Sequence, residues 1–242
     1  MSRFLLFTLY APLAACGEIA VGERRMGWSR PGRSAVLGLV AAALGLRRDD
    51  EAGHAALEAG YGYAVRVDAP GRPFVDYHTA QVAPQRKGRR FETRRAELGA
   101  ERLETVLSYR EYRSDALYTA ALWARPEAPY HLEELAAALA APHFALYLGR
   151  KSAPLGLPLD PAVIEAEDLI GALAQRAWPP VLSGLMPAER ITLAFDLDAP
   201  GLTPDQRERT ERRRDAIGSR RRWQFAVREE GVVSLPAQGR EP

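Results

Sequence analysis

Two short clusters, Asp76-Tyr77-His78-Thr79 and Ser108-Tyr109-Arg110-Glu111-Tyr112, bracket a run in which Arg86, Lys87, Arg89, Arg90, Arg94 and Arg95 meet one acid, Glu92. A local excess of five positive charges can neutralise phosphates, and Tyr77, Phe91, Tyr109 and Tyr112 beside it can stack on unpaired bases. The pairing of cations with aromatics suits single-stranded nucleic acid; the plainer alternative is a solvated charged face. His78 adds a group that exchanges a proton near neutral pH. With Tyr77 and Lys87 as helpers it has the parts of a metal-independent RNA-cleaving site, or it serves only as a hydrogen-bonding group.

Other cations stand where phosphates could be held. Arg24, Arg25 and Arg30 lie in a glycine-punctuated loop, and Arg33-Ser34 opens a helix whose first N–H groups point outward unpaired. Ser34 is then either part of a phosphate site or an ordinary helix cap. Arg150-Lys151-Ser152 follows an apolar segment and can contact phosphate or form a mere turn. A second basic run, from Gln206 to Arg222, sets eight arginines against three acids. Lys87 and Lys151 are the only lysines, a bias that nucleic-acid binding or codon usage would each produce.

Several chemistries are excluded or unsupported. Cys16 is the only cysteine, which rules out an internal disulfide and a cysteine-based zinc site and is compatible with a reducing cytoplasm, where we expect the protein to act. His54, His131 and His143 lie far apart without ligand spacing, so neither metal nor other cofactor is expected. Phosphate-loop, nucleophile-elbow and dinucleotide fingerprints are missing from the sequence. The apolar run at residues 4–9 is short and includes Thr8, so it reads as a first strand and not as a signal peptide or membrane span.

The elements that must carry these groups follow from periodicity. Strands are predicted at residues 4–10, 61–68, 117–123 and 144–148, with Asp68-Ala69-Pro70-Gly71 ending the second, and helices at 35–46, 50–59 and 131–140. Beyond these, strands at 191–197 and 223–227 flank a predicted helix that Thr203-Pro204 would start. The order predicts an α+β fold, a ferredoxin-like or RRM-like βαββαβ sheet with an inserted thumb hairpin at about 75–115 and a smaller C-terminal β-containing region. The corresponding units are residues 1–154 and 155–242.

Certain ordered blocks carry a resemblance: Ala11-Pro12-Leu13-Ala14-Ala15, Arg33 to Leu39, Gly45-Leu46-Arg47-Arg48-Asp49-Asp50, Asp76 to Thr79, Tyr109 to Tyr112 with Asp115-Ala116, and Tyr147 to Ser152 with Pro154-Leu155. Through them the chain resembles the type I-E members of the fifth Cas family, in the RAMP superfamily. The resemblance implies a non-catalytic subunit of the CRISPR surveillance complex Cascade that caps the 5′ handle of the guide RNA (crRNA). It also implies contacts with the large subunit and a backbone subunit, and with target DNA indirectly through the guide duplex; no membrane partner is expected. Arg33 and Ser34 would hold handle phosphates with Arg24, Arg25 and Arg30 in support. Tyr77, His78, Tyr109, Arg110 and Tyr112 would line the base of the thumb, and Arg150, Lys151 and Ser152 would close the site. The alternatives are a metal-independent endoribonuclease using His78 and a structural adaptor whose arginines meet acidic protein surfaces. Cys16 departs from the family pattern, which has tryptophan before the glycine.

Overall fold

An apolar run without a polar face has to be covered on both sides. Leu5, Phe7 and Leu9 enter one core while Phe4 and Leu6 enter another. In the computed structural model, which describes residues 1–17, 22–85, 90–185 and 188–236, they belong to β1 (Ser2–Ala14). The chain continues through β2 (Arg24–Arg25), α1 (Arg33–Leu44), α2 (Glu51–Gly60), β3 (Tyr61–Ala69), β4 (Arg72–Val82), α3 (Arg94–Leu98) and β5 (Glu104–Ala124). It ends with α4 (Leu132–Ala140), β6 (Ala162–Ala166), α5 (Leu169–Ala174), β7 (Arg190–Asp196), β8 (Arg209–Ser219) and β9 (Gln224–Pro236).

The molecule is a mixed α/β structure built on one large sheet in the order β6-β1-β5-β3-β7-β9-β8, every adjoining pair antiparallel. On one face Val36, Leu37 and Val40 of α1, Leu57 of α2 and Leu132, Leu135 and Leu139 of α4 pack against the strands. On the other, Leu169, Ala172 and Leu173 of α5 meet Trp123, Leu193 and Phe195.

β5 has two characters. Residues 116–123 are buried and lie between β1 and β3, whereas residues 104–114 pair with β4 as a ribbon that reaches about 35 Å at roughly 3.3 Å per residue. Asp68-Ala69-Pro70-Gly71 does not reverse the chain, contrary to the expected turn. β3 and β4 follow the same neighbour, Ala69 opposite Leu117 and Arg72 opposite Ser114, with a kink between them. Pro70 offers no N–H to the ladder, Gly71 takes φ 64°, and Asp115 across the ladder takes φ 54°. The ribbon therefore leaves the sheet where both strands bend.

Two predicted elements are corrected. Residues 144–148 do not form the fourth strand: the Phe144 N–H donates to the Ala42 carbonyl, tying this segment to the end of α1, and only Tyr147 bridges to Pro154. β6 fills the place beside β1 instead, and its five residues, one of them Glu165, are too few to stand out by pattern. The helix expected after Thr203-Pro204 is a single 3-10 turn, Pro204–Gln206, followed by β8. Its inward residues alternate, Glu211, Arg213 and Asp215, because a strand presents every second side chain to the same face. β7 pairs with β3, so the strands of the last third extend the same sheet.

Candidate nucleic-acid interface

The ribbon of β4 and residues 104–114 of β5 is largely accessible to solvent, β4 the more so. Continuous pairing sets Phe74 opposite Tyr112, Asp76 opposite Arg110, Tyr77 opposite Tyr109 and His78 opposite Ser108. Strand alternation then divides these groups between two faces. One face carries Tyr77 and Tyr109, ring centroids 5.1 Å apart, with Tyr77 54% exposed. β2 runs parallel to β5 here, Arg24 opposite Tyr109, and places the Arg24 guanidinium 5.7 Å from the Tyr109 centroid; Arg25 is exposed beside it. The other face carries Phe74, His78, Arg110 and Tyr112.

Tyr112 is the anchor of that second face. The Arg150 Nη1 donates to its hydroxyl at 2.9 Å and the guanidinium lies 4.9 Å from its ring centroid, while Phe74 approaches to 6.0 Å. Burial raises the phenol's pKa, but hydrogen bonds from Arg150 and Ser152 and the charges of Arg150 and Arg110 outweigh it and leave the pKa below its ordinary value. The loop bearing Arg150 is fixed by backbone bonds: Ala15 N–H to the Leu148 carbonyl at 3.1 Å and Ala153 N–H to the Arg150 carbonyl at 2.8 Å. Gly149, at φ 86°, lies so close to the Ala15 carbonyl that a side chain would collide with it. Lys151 and Ser152 are exposed on the same loop. The Arg110 Nε is buried without a hydrogen-bond partner.

Towards the ribbon's far end, Arg90, Arg94 and Arg95 are exposed. Thr93 caps α3, and Arg94 pairs with Glu97 at 2.6 Å and donates to the Gln81 carbonyl, which ties α3 to β4. Arg86, Lys87 and Arg89 lie outside the described residues. The single base-of-thumb cluster expected from Tyr77, His78, Tyr109, Arg110 and Tyr112 is corrected to two opposed faces. His78 is exposed and Tyr77 projects from the opposite side of β4, so these neighbours in sequence do not share a site.

Arg30 and Arg33 are corrected as phosphate ligands, because the protein's own carboxylates already surround them. Arg33 is 3% exposed and pairs with Glu58 at 2.9 Å and with Asp196, while donating to the carbonyls of Glu58 and Tyr61. Arg30 reaches Glu211 and Glu230, each at 2.6 Å. Burial works against its charge, yet these two acids keep its pKa above the ordinary value. Arg228 completes the network with Asp196, Asp215 and Glu230. The N-terminus of α1 is occupied as well: Gly32 is the cap, and Asp215 accepts from the Arg33 N–H at 2.8 Å, the position expected for a phosphate. Ser34 is half-buried inside the first turn, and its carbonyl accepts from Arg220.

Asp196, Asp215, Glu211 and Glu230 were not singled out by sequence. The two-residue spacing of Glu211, Arg213 and Asp215 was the available signal, and the helix assignment concealed it. Phe74 was missed too, although it alternates with Asp76 and His78. Cys16 is buried, its thiol pushed up to about 11 chiefly by desolvation, and offers no surface for stacking. Among the described residues no cluster of three His, Cys, Asp or Glu side chains could hold a metal ion, and no helix is long and apolar enough to cross a membrane.

A basic, aromatic ribbon projecting from a broad antiparallel sheet is the setting for the comparisons with known proteins. A family model described as CRISPR-associated protein (Cas_Cas5) matches residues 4–231, nearly the whole chain. The chain therefore belongs to the Cas5 family of CRISPR-associated proteins. It is 34% identical over 200 residues to the CRISPR system Cascade subunit CasD of Escherichia coli (strain K12), covering 79% of this chain and 84% of that one. Among solved structures, a chain of a CRISPR RNA-guided surveillance complex superposes with TM-score 0.64 at 26% identity, covering 97% of this chain and 91% of that one. A second, titled crystal structure of Cas protein, gives TM-score 0.61 at 28% identity over 96% and 95% of the two chains.

Proposed function

We propose that the protein is a crRNA-associated subunit of a type I-E Cascade complex, and that the base of the β4–β5 ribbon grips the 5′ handle of the guide. The observation that carries this is the Tyr77–Tyr109 pair, Tyr77 exposed and Tyr109 half-buried with Arg24 over its ring, a stacking surface with a cation beside it. Likeness to the E. coli Cascade subunit supports the assembly. In this reading Arg24, Arg25, Tyr77 and Tyr109 hold one stretch of RNA. His78, Arg110, Tyr112, Arg150, Lys151 and Ser152 hold a second on the opposite face, and the cations of residues 86–95 extend both. The chain works without catalysis in the cytoplasm, beside the large subunit and a backbone subunit, meeting target DNA only through the guide duplex.

The same reading assigns a ferredoxin-like, RRM-like core to β1, α1, β3, β5, α4 and β6. The order β6-β1-β5-β3 with α1 and α4 on one face supports it. The first 154 residues and β6 then make up that unit, and the later strands widen its sheet.

Replacing Tyr77 and Tyr109 together by alanine is expected to weaken binding of handle-bearing RNA by about 1–3 kcal/mol for each base that stacks. Affinity measured at several salt concentrations is the check; an unchanged value would remove the ribbon base from the contact surface. The unaltered chain incubated with repeat RNA in EDTA should leave it intact, whereas cleavage abolished by His78→Ala would replace this reading with an endoribonuclease.

A further inference from the structure

The arginine-rich run before Trp223-Gln224-Phe225 is divided by the fold. Arg209 and Arg213 meet carboxylates, but Arg220, Arg221 and Arg222 occupy the turn from β8 to β9. Trp223 closes that turn, 59% exposed and at φ 56°, a left-handed conformation rarely adopted by a bulky residue. An exposed indole recovers little by burial to offset this strain, and strained backbone of this kind is concentrated at functional sites.

The ring is positioned from two distant parts of the chain. Arg48, from the link between α1 and α2, has its guanidinium 5.0 Å from the indole centroid, Arg220 lies at 5.5 Å, and Phe225 approaches edge-on at 5.4 Å. Glu51 of α2 fixes the turn by accepting from the Ser219 hydroxyl and from the Arg221 N–H, both at 2.9 Å. Arg30, Arg33 and Arg228 are saturated with acids. By contrast, among the described residues no carboxylate forms an ion pair with Arg48, Arg220, Arg221 or Arg222. Two guanidinium charges over one ring repel each other. Desolvation by burial, together with the charge of Arg48, holds Arg220's pKa below its ordinary value despite Glu58, and an anion at the turn would relieve that cost.

We propose that Trp223, Arg48, Arg220, Arg221 and Arg222 form a second site for single-stranded nucleic acid, the indole stacking on a base and the guanidinium groups holding the adjoining phosphates. An acidic peptide would satisfy the cations but leave the exposed indole without a partner, whereas a nucleotide uses both. The site uses none of the ribbon's residues and stands or falls separately from it.

The test is made on the full chain carrying Tyr77→Ala and Tyr109→Ala, so that stacking on that pair cannot contribute, and each further variant is compared with this background. Short oligouridine is the probe, followed by tryptophan fluorescence, ultraviolet crosslinking and thermal unfolding. Trp223→Gly, which removes the ring and suits the backbone conformation, should leave the melting temperature equal or higher. It should also weaken oligouridine binding about tenfold and abolish the crosslink at that turn. Arg221→Ala with Arg222→Ala should reduce the salt dependence of the remaining binding. Unchanged affinity and crosslinking in Trp223→Gly would overturn the proposal. So would a fall in melting temperature without loss of affinity, which marks a packing role, or equal quenching by poly-glutamate, which marks an acidic protein partner.

Discussion

Arg33 and Arg150 share a side chain and differ in everything around it. Arg33 is enclosed by two carboxylates and two backbone carbonyls, while Arg150 lies along an aromatic ring at the edge of solvent. Removing one partner of a buried ion pair leaves charge uncompensated, at a typical cost of about 3–5 kcal/mol, whereas surface pairs are worth about 1 kcal/mol or less. Arg33→Ala should therefore destabilise the protein by about 3–5 kcal/mol in urea unfolding. Arg150→Ala should leave the unfolding midpoint nearly unchanged and show its effect in RNA affinity. The reverse pattern would mean that the two roles have been exchanged. A basic residue near a helix start is legible in sequence; the acid that waits for it 163 or 182 positions later is not.

At the scale of elements, β5 links the sheet to the interface. Its apolar half and its polar, aromatic half were both readable, because burial on two faces and exposure on two faces leave opposite compositions. The continuity between them was not, since Pro70-Gly71 signals a turn and the tertiary pairing makes it a kink. Gly71→Ala places a side chain at φ 64° against the Ser114 carbonyl and Ala116, and should cost about 1–3 kcal/mol. Hydrogen exchange should then show faster opening of residues 104–114 than of β1. Equal protection in mutant and wild type would show that the kink does not hold the ribbon.

At the scale of the whole molecule, the last third supplies charge as well as strands. β7, β8 and β9 bring Asp196, Glu211, Asp215 and Glu230 to Arg30 and Arg33, and β7 covers the edge of β3. A chain ending at residue 189 would leave Arg30 without its carboxylates and Arg33 with Glu58 alone, and would expose the β3 edge. It should be insoluble or lack a cooperative melting transition by circular dichroism; a sharp transition with native-like helix content would show that the first 189 residues fold alone. The shared sheet and the shared ion network make such independence unexpected.

What the sequence determined unaided rests on short-range pattern. The covered first strand, the helices near residues 33–60 and 132–140, the projecting basic insertion and the family resemblance all follow from spacings of two to four residues or from ordered local blocks. The tertiary structure alone decided which arginines face solvent, which side of the ribbon each aromatic takes, and that residues 209–219 are strand. The first depends on carboxylates that the chain brings back from its last third, and the other two on the register between paired strands, which local spacing does not report. Periodicity reports that a side chain wants a neighbour; only the folded chain fixes which neighbour it finds.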